Sequence, residues 1–185
     1  MSLAQRLIET TVAIAAAPLF APERGRRDAA DAAHAFTAAA ARSGAAEIAL
    51  SEVALGRSTT PAVTEFARRM VAEHTALDEE LRSLAAIRGM APPAGPFDDV
   101  AADAELLRDL PAEAFDAAYL ARMVDDHEAA VALFARQAAD FQAPELAALA
   151  ARSLPMLRDH LAQARSLRDT PPQGKAGKAR RARKH

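Results

Sequence analysis

The chain has 185 residues with a formal net charge of -2, 51% hydrophobic and 26% charged content and only 4% aromatic residues, which suits one globular domain with a core of small aliphatic side chains. It contains no cysteine, which excludes a disulfide framework, a thiolate nucleophile and cysteine-ligated zinc. Alanine makes up about a quarter of the chain and favours helix because of its intrinsic propensity; no stretch reads as a strand.

Residues 1–27 read as a hydrophobic segment followed by a linker. Leu7 to Ala21 is the most hydrophobic run, too short to cross a bilayer as a helix. Its apolar centre and the small residues Ala15 to Ala17 fit a secretory signal, whereas Glu9 and Pro18 fit it badly. Two locations stay open: periplasm or cell envelope if the segment is a signal peptide, cytoplasm otherwise. Pro22 to Arg27 has the composition of a linker.

Residues 28–168 resolve into four amphipathic segments. The first runs from about Asp31 to Leu55 and is expected to close at Gly56 in the left-handed conformation that glycine permits. Thr60 as N-cap and Pro61 at the first helical position open the second, which Gly89 ends. The stretch from Met90 to Pro111 is long enough to cross a bundle end to end, with a short helix expected near Val100 to Leu110. The third segment runs from Pro111 to Phe141 and the fourth from Pro144 to about Leu167, where Pro155 removes one backbone hydrogen bond and predicts a kink. Short turns make antiparallel hairpins of the first and second and of the third and fourth helices, and the long connection permits the middle two to run parallel. The predicted fold is all-α, a ferritin-like four-helix bundle with a long connection between helices 2 and 3, plus N- and C-terminal tails; an up-down-up-down bundle is the alternative.

Residues 169–185 form a basic tail. Pro171, Pro172 and Gly174 open it, and Lys175, Lys178, Arg180, Arg181, Arg183 and Lys184 follow. It lacks the apolar residues that would offset the entropy of ordering, so disorder is expected. Such a tail can touch polyanions or anionic lipid, or simply aid solubility, and without interleaved aromatics it implies no specific nucleic acid. Other partners stay unknown, with a homo-oligomer among the open candidates.

Each seam carries one polar residue in its interior. The first has Phe36, Ala40, Glu47, Leu50 and Ala54; the second Val63, Phe66, Met70, His74, Leu77, Leu81 and Leu84. The third has Leu120, Val124, His127, Val131, Phe134 and Phe141, and the fourth Leu146, Leu149, Met156, His160 and Leu167. Counting from the turns at about 1.5 Å per residue brings Glu47, His74, His127 and His160 to one layer in either topology. Three imidazoles and a carboxylate suit a single divalent ion, with zinc, iron, manganese and copper all candidates. A hydrogen-bonded Glu–His network that satisfies itself and fixes helix register is the competing reading.

An acid precedes each histidine, namely Glu73, Asp126 and Asp159. Neighbours in a helix point about 100° apart, so these carboxylates cannot share the seam; they either accept from the imidazole of a neighbouring helix or are merely solvated. His34 lies too far along the axis to join the layer. Tyr119 is expected to pack in the core, with a hydrogen bond as the alternative.

The segments AAEIALSEVALGRSTTPAVTEFARRMVAEHTALDEEL, FDAAYLARMVDDHEAAVALF and LPMLRDHLAQA resemble a bacterial domain-of-unknown-function family grouped with ferritin-like folds and often labelled as outer-membrane or exported protein. The resemblance spans about Phe36 to Leu167 and implies a four-helix ferritin-like fold and frequent export, with no established reaction. Di-iron ferritin-like proteins place Glu-x-x-His on two helices. This chain has no such run, which disfavours a bridged di-iron centre.

No phosphate-cradling glycine loop, nucleophile elbow or zinc-protease signature is present. Three functions stay open: a non-catalytic metal-binding bundle with a stress- or envelope-associated role, a structural or interaction bundle, and a mononuclear metal oxidoreductase, which needs an open coordination position.

Overall fold

The computed structural model describes residues 21–170, and their regular structure is entirely helical. Five helices follow one another: α1 (Ala21–Arg57), α2 (Pro61–Ile87), α3 (Asp98–Arg108), α4 (Ala112–Ala138) and α5 (Pro144–Asp169). The expectations for the hydrophobic run before Ala21 and for the basic tail from Pro171 onward lie outside the described residues. No described helix is long and apolar enough to cross a membrane.

The long helices form two hairpins, α1 with α2 and α4 with α5, and the hairpins meet through α1 against α4 and α2 against α5. One apolar cluster joins Phe36 of α1, Leu81 and Ala85 of α2, Phe134 of α4 and Leu146 of α5. The other joins Leu50 of α1, Val63 and Phe66 of α2, Phe115 of α4 and Ala164 of α5. Helices α2 and α4 therefore both start at the second cluster and finish at the first, so they run parallel. All four adjacent pairs are consequently antiparallel, and residues 88–111 return along the length of the bundle as a crossover. The short α3 belongs to this crossover and buries Val100, Ala104 and Leu107. Asp103 accepts from Arg122 at 2.8 Å, and Asp99 pairs with Arg42.

Each long helix has one buried polar residue between its contributions to the two clusters: Glu47 between Ala41 and Leu50, His74 between Met70 and Leu81, His127 between Val124 and Ala130, and His160 between Leu157 and Ala164. The core is thus two apolar halves separated by a polar layer.

Local signals explain most helix ends, with several differences from expectation. Pro22 to Arg27, expected as a linker, is already helical, since proline in a first turn removes only an N–H that has no helical partner. Gly56 does not end α1 in the left-handed conformation: the helix continues to Arg57, and the Ser58 N–H still donates to the Ala54 carbonyl at 2.9 Å. Thr60 precedes α2 with extended backbone, but its hydroxyl makes no cap bond; it donates to Asp116 on α4 at 2.5 Å. Phe141 lies beyond the end of α4 and is 94% exposed, so the apolar seam of that helix stops at Phe134. Pro155 sits inside an unbroken α5. It and Ala151, whose carbonyl lost its helical donor, are both exposed, so solvent can supply the missing bond.

Gly89 does behave as a terminator, with φ of 69°. Its N–H donates to Ala86 and that of Met90 to Ala85, at 3.0 and 2.8 Å, the paired bonds of a Schellman motif, and Met90 and Ala85 are both buried. A Cβ at Gly89 would meet nothing within 4 Å, so the cost of a side chain is purely conformational. Gly89→Ala is expected to lower stability by about 1–2 kcal/mol in urea unfolding, with no change in slope.

Candidate metal centre

Helical periodicity delivers the three histidines to one place. The ring centroids of His74, His127 and His160 stand 5.3 to 5.4 Å apart pairwise, a nearly equilateral triangle. One ring nitrogen from each lies within 4.8 Å of those of the other two. All three rings are buried, as is Glu47.

The outward nitrogen of each ring is held by a group that can only accept. His74 Nδ1 donates to Glu47 Oε2 at 2.8 Å, His127 Nδ1 to the Met123 carbonyl at 2.8 Å, and His160 Nε2 to Glu73 Oε2 at 2.8 Å. A neutral imidazole has one N–H, so in neutral rings bonded this way the lone pairs fall on His74 Nε2, His127 Nε2 and His160 Nδ1. Burial, together with the neighbouring His74 and His127 and against the pull of Glu73, depresses His160 from its ordinary 6.5 to about 4. Burial first, and the nearby His74, also lower His127. Both rings are therefore neutral near pH 7, yet His127 Nε2 and His160 Nδ1 face each other at 3.4 Å with no proton between them. His74 Nε2 is buried without any partner.

This donor set fits a metal ion. Two imidazole nitrogens bound at about 2.0–2.1 Å to a tetrahedral ion stand about 3.3–3.4 Å apart. Carboxylate or carbonyl acceptors on the remote nitrogens are the usual means of fixing the tautomer and orientation of a ligating histidine.

The expected carboxylates divide by what they touch. Glu47 lies in the layer, but its Oε2 is occupied by His74 and its Oε1 stands 3.7 Å from His127 Nδ1. Its role in this geometry is to orient His74, not to join the converging nitrogens. Burial pushes the Glu47 carboxyl up, but the charges and hydrogen bond of the histidines outweigh this and the net shift is down, keeping it ionised. Glu73 reaches from α2 to His160 on α5, the role open to it from its position beside the seam, and is fixed from the other side by Arg69 Nε at 2.8 Å. Arg69 also donates to Asp159 and Gln163 on α5 at 2.6 and 3.0 Å. Asp126 is bound by Arg122 at 2.8 Å, and neither Asp126 nor Asp159 bonds to an imidazole; each has an arginine as its partner. His34 is exposed. The Met123 carbonyl was not foreseen, although a histidine four residues along the same helix is its natural donor. Tyr119 is buried and shares a hydrogen bond with Ser51 at 2.9 Å, one turn from Glu47.

A protein-family model described as a domain of unknown function, DUF4142, matches residues 20–167. No curated protein matches. The crystal structure of a DUF305 fragment from Deinococcus radiodurans has a similar fold: it aligns over 74% of this chain and 94% of its own, with a TM-score of 0.64 and 19% identity. At that identity the likeness concerns the fold alone.

The buried rings make stability depend on pH. His160 faces Glu73 and His74 from α2, His127 from α4 and the Glu47 carboxylate of α1. Because its folded pKa lies below the unfolded value, the unfolded chain binds the extra proton between about 6.5 and about 4, so its contribution is complete above that window and is lost as pH falls through it. Glu47 and Glu73, both lowered, act with the same sign below about 4.5. Urea unfolding of metal-free protein should show a midpoint falling steadily from pH 7 to pH 4, and His160→Leu should flatten the upper part of that profile.

Proposed function

The chain belongs to the DUF4142 family, a domain of unknown function, and we propose that it is a ferritin-like bundle that holds one divalent transition-metal ion through His74, His127 and His160 without catalysing a reaction. The observation that carries this reading is the convergence of three buried lone-pair nitrogens, two of them 3.4 Å apart, on rings whose other nitrogens are all engaged. In water-excluded surroundings such an arrangement leaves acceptors facing acceptors, which costs energy that a cation removes. The helix order, with parallel α2 and α4 joined by a crossover, supports the ferritin-like assignment. One ion ligated by neutral imidazoles fits better than a bridged pair, because the nearby carboxylates orient rings. The sequence resemblance, which implies frequent export, adds an envelope-associated setting in which such a protein would sequester metal, and a role under stress is the companion reading.

A second reading is favoured by the Glu47–His74 pair, at 2.8 Å and buried on both sides: the polar layer then only fixes register. Metal binding and stability separate the two. Protein purified without an affinity tag and loaded with zinc is expected to retain one ion per chain by elemental analysis, and His160→Leu to retain none. Zinc at about a hundredfold excess over its Kd should stabilise the fold by about 2.7 kcal/mol, reversed by chelator. Glu73→Gln should keep the fold and weaken affinity about 10–100-fold. A melting temperature indifferent to zinc and chelator would leave the register reading alone.

A further inference from the structure

Among the described residues three buried side-chain atoms have no hydrogen-bond partner: Glu47 Oε1, His74 Nε2 and Asp78 Oδ1. All three residues line one cavity of about 10 Å³ enclosed by α1, α2, α4 and α5, whose other walls are Ser43, Gly44 and apolar side chains such as Leu77, Phe134 and Leu157. Two of the atoms are carboxylate oxygens, and the third, His74 Nε2, is an acceptor when the single proton of a neutral ring sits on Nδ1, toward Glu47. Cavities of about 10–15 Å³ hold a single water, and one water offers two protons to these three acceptors. Oxygen and imidazole donors together suit a divalent cation.

The residues around the cavity grade from partly exposed to fully buried. Ser43, Leu77 and Asp78 are half-buried, whereas Glu47 and His74 are fully buried. Asp78 Oδ2 is held by Arg82 Nε at 2.6 Å, which leaves Oδ1 as the free oxygen. Gly44 is buried in the middle of α1, where glycine is about 1 kcal/mol less favourable than alanine, and a Cβ there would meet nothing within 4 Å. The absent side chain leaves free space in the cavity wall that Gly44 shares with Glu47.

We propose that this cavity is the route by which a divalent cation passes between solvent and the three histidines, with Asp78 as its outer ligand and Glu47 Oε1 handing it to His74 Nε2. The inference rests on the metal reading of the centre and adds to it where the ion enters. A route changes rates without changing the final complex, so blocking it slows binding and release together.

Cobalt(II), whose visible absorption reports coordination, provides the probe. Stopped-flow mixing with metal-free full-length protein measures uptake, and excess chelator measures release. Gly44→Leu, which fills the passage, is expected to slow both by about tenfold or more, while equilibrium affinity stays within about threefold. Asp78→Asn, nearly isosteric, is expected to slow uptake and provides the decisive variant if leucine disturbs α1. Glu80→Gln, which removes an exposed acid elsewhere on α2, should leave both rates unchanged. Wild-type rates in both Gly44→Leu and Asp78→Asn, with cobalt bound, overturn the route and spare the centre. Failure of the unaltered chain to bind cobalt overturns both.

Discussion

Everything in this bundle is arranged around the need to satisfy four polar side chains that sit between two apolar clusters. Glu47, His74, His127 and His160 come one from each long helix, and the bonds of His74 to Glu47 and of His160 to Glu73 hold α1, α2 and α5 at one relative height. Sliding a helix by one turn, about 5.4 Å, would carry an imidazole or a carboxylate into aliphatic surroundings and strand its partner. Apolar seams alone tolerate such slippage far better, because an alanine-rich surface meets another with little to distinguish one register from the next.

The crossover decides which helices are neighbours. With α2 and α4 parallel, α1 packs beside α4 and α2 beside α5, so Glu47 approaches both His74 and His127 while Glu73 reaches His160. The antiparallel course of α5 accompanies a reversal of the ring: His74 and His127 turn Nδ1 outward, whereas His160 turns Nε2 outward. Exposed ion pairs contribute little to stability individually. Arg69 nevertheless matters to the centre, because it bonds Glu73 and two residues of α5 at once and so ties the carboxylate that orients His160 to the helix that bears it.

The centre also combines order with incompleteness. The remote nitrogens are fully engaged, while on the inner side acceptors face one another and Glu47 Oε1 and His74 Nε2 remain unpaired. Buried polar networks that merely set register normally satisfy every member. The metal site proposed above accounts for this contrast, and the residues that bear the unpaired atoms line the cavity beside Gly44.

Much of this was legible from the chain. Three- and four-residue apolar steps specified four long helices, Gly89 and Pro61 marked ends, and one polar residue in each seam located the layer, because side chains at those steps share a helix face whatever the surroundings. Boundaries resting on weaker local signals failed: Gly56 continues as ordinary helix, and Phe141 falls past the end of α4. The division among the acids was not legible either. Glu73, Asp126 and Asp159 precede their histidines identically and each binds an arginine, yet only Glu73 meets an imidazole, since the choice depends on whether a ring of a neighbouring helix also comes within reach. Periodicity within each helix thus determined which residues face the interior and at what depth. Direction, neighbours and the pairing of individual nitrogens and oxygens were decided only when four helices packed, because hydrogen bonds between helices depend on angstrom-scale distances that spacing along one chain does not encode.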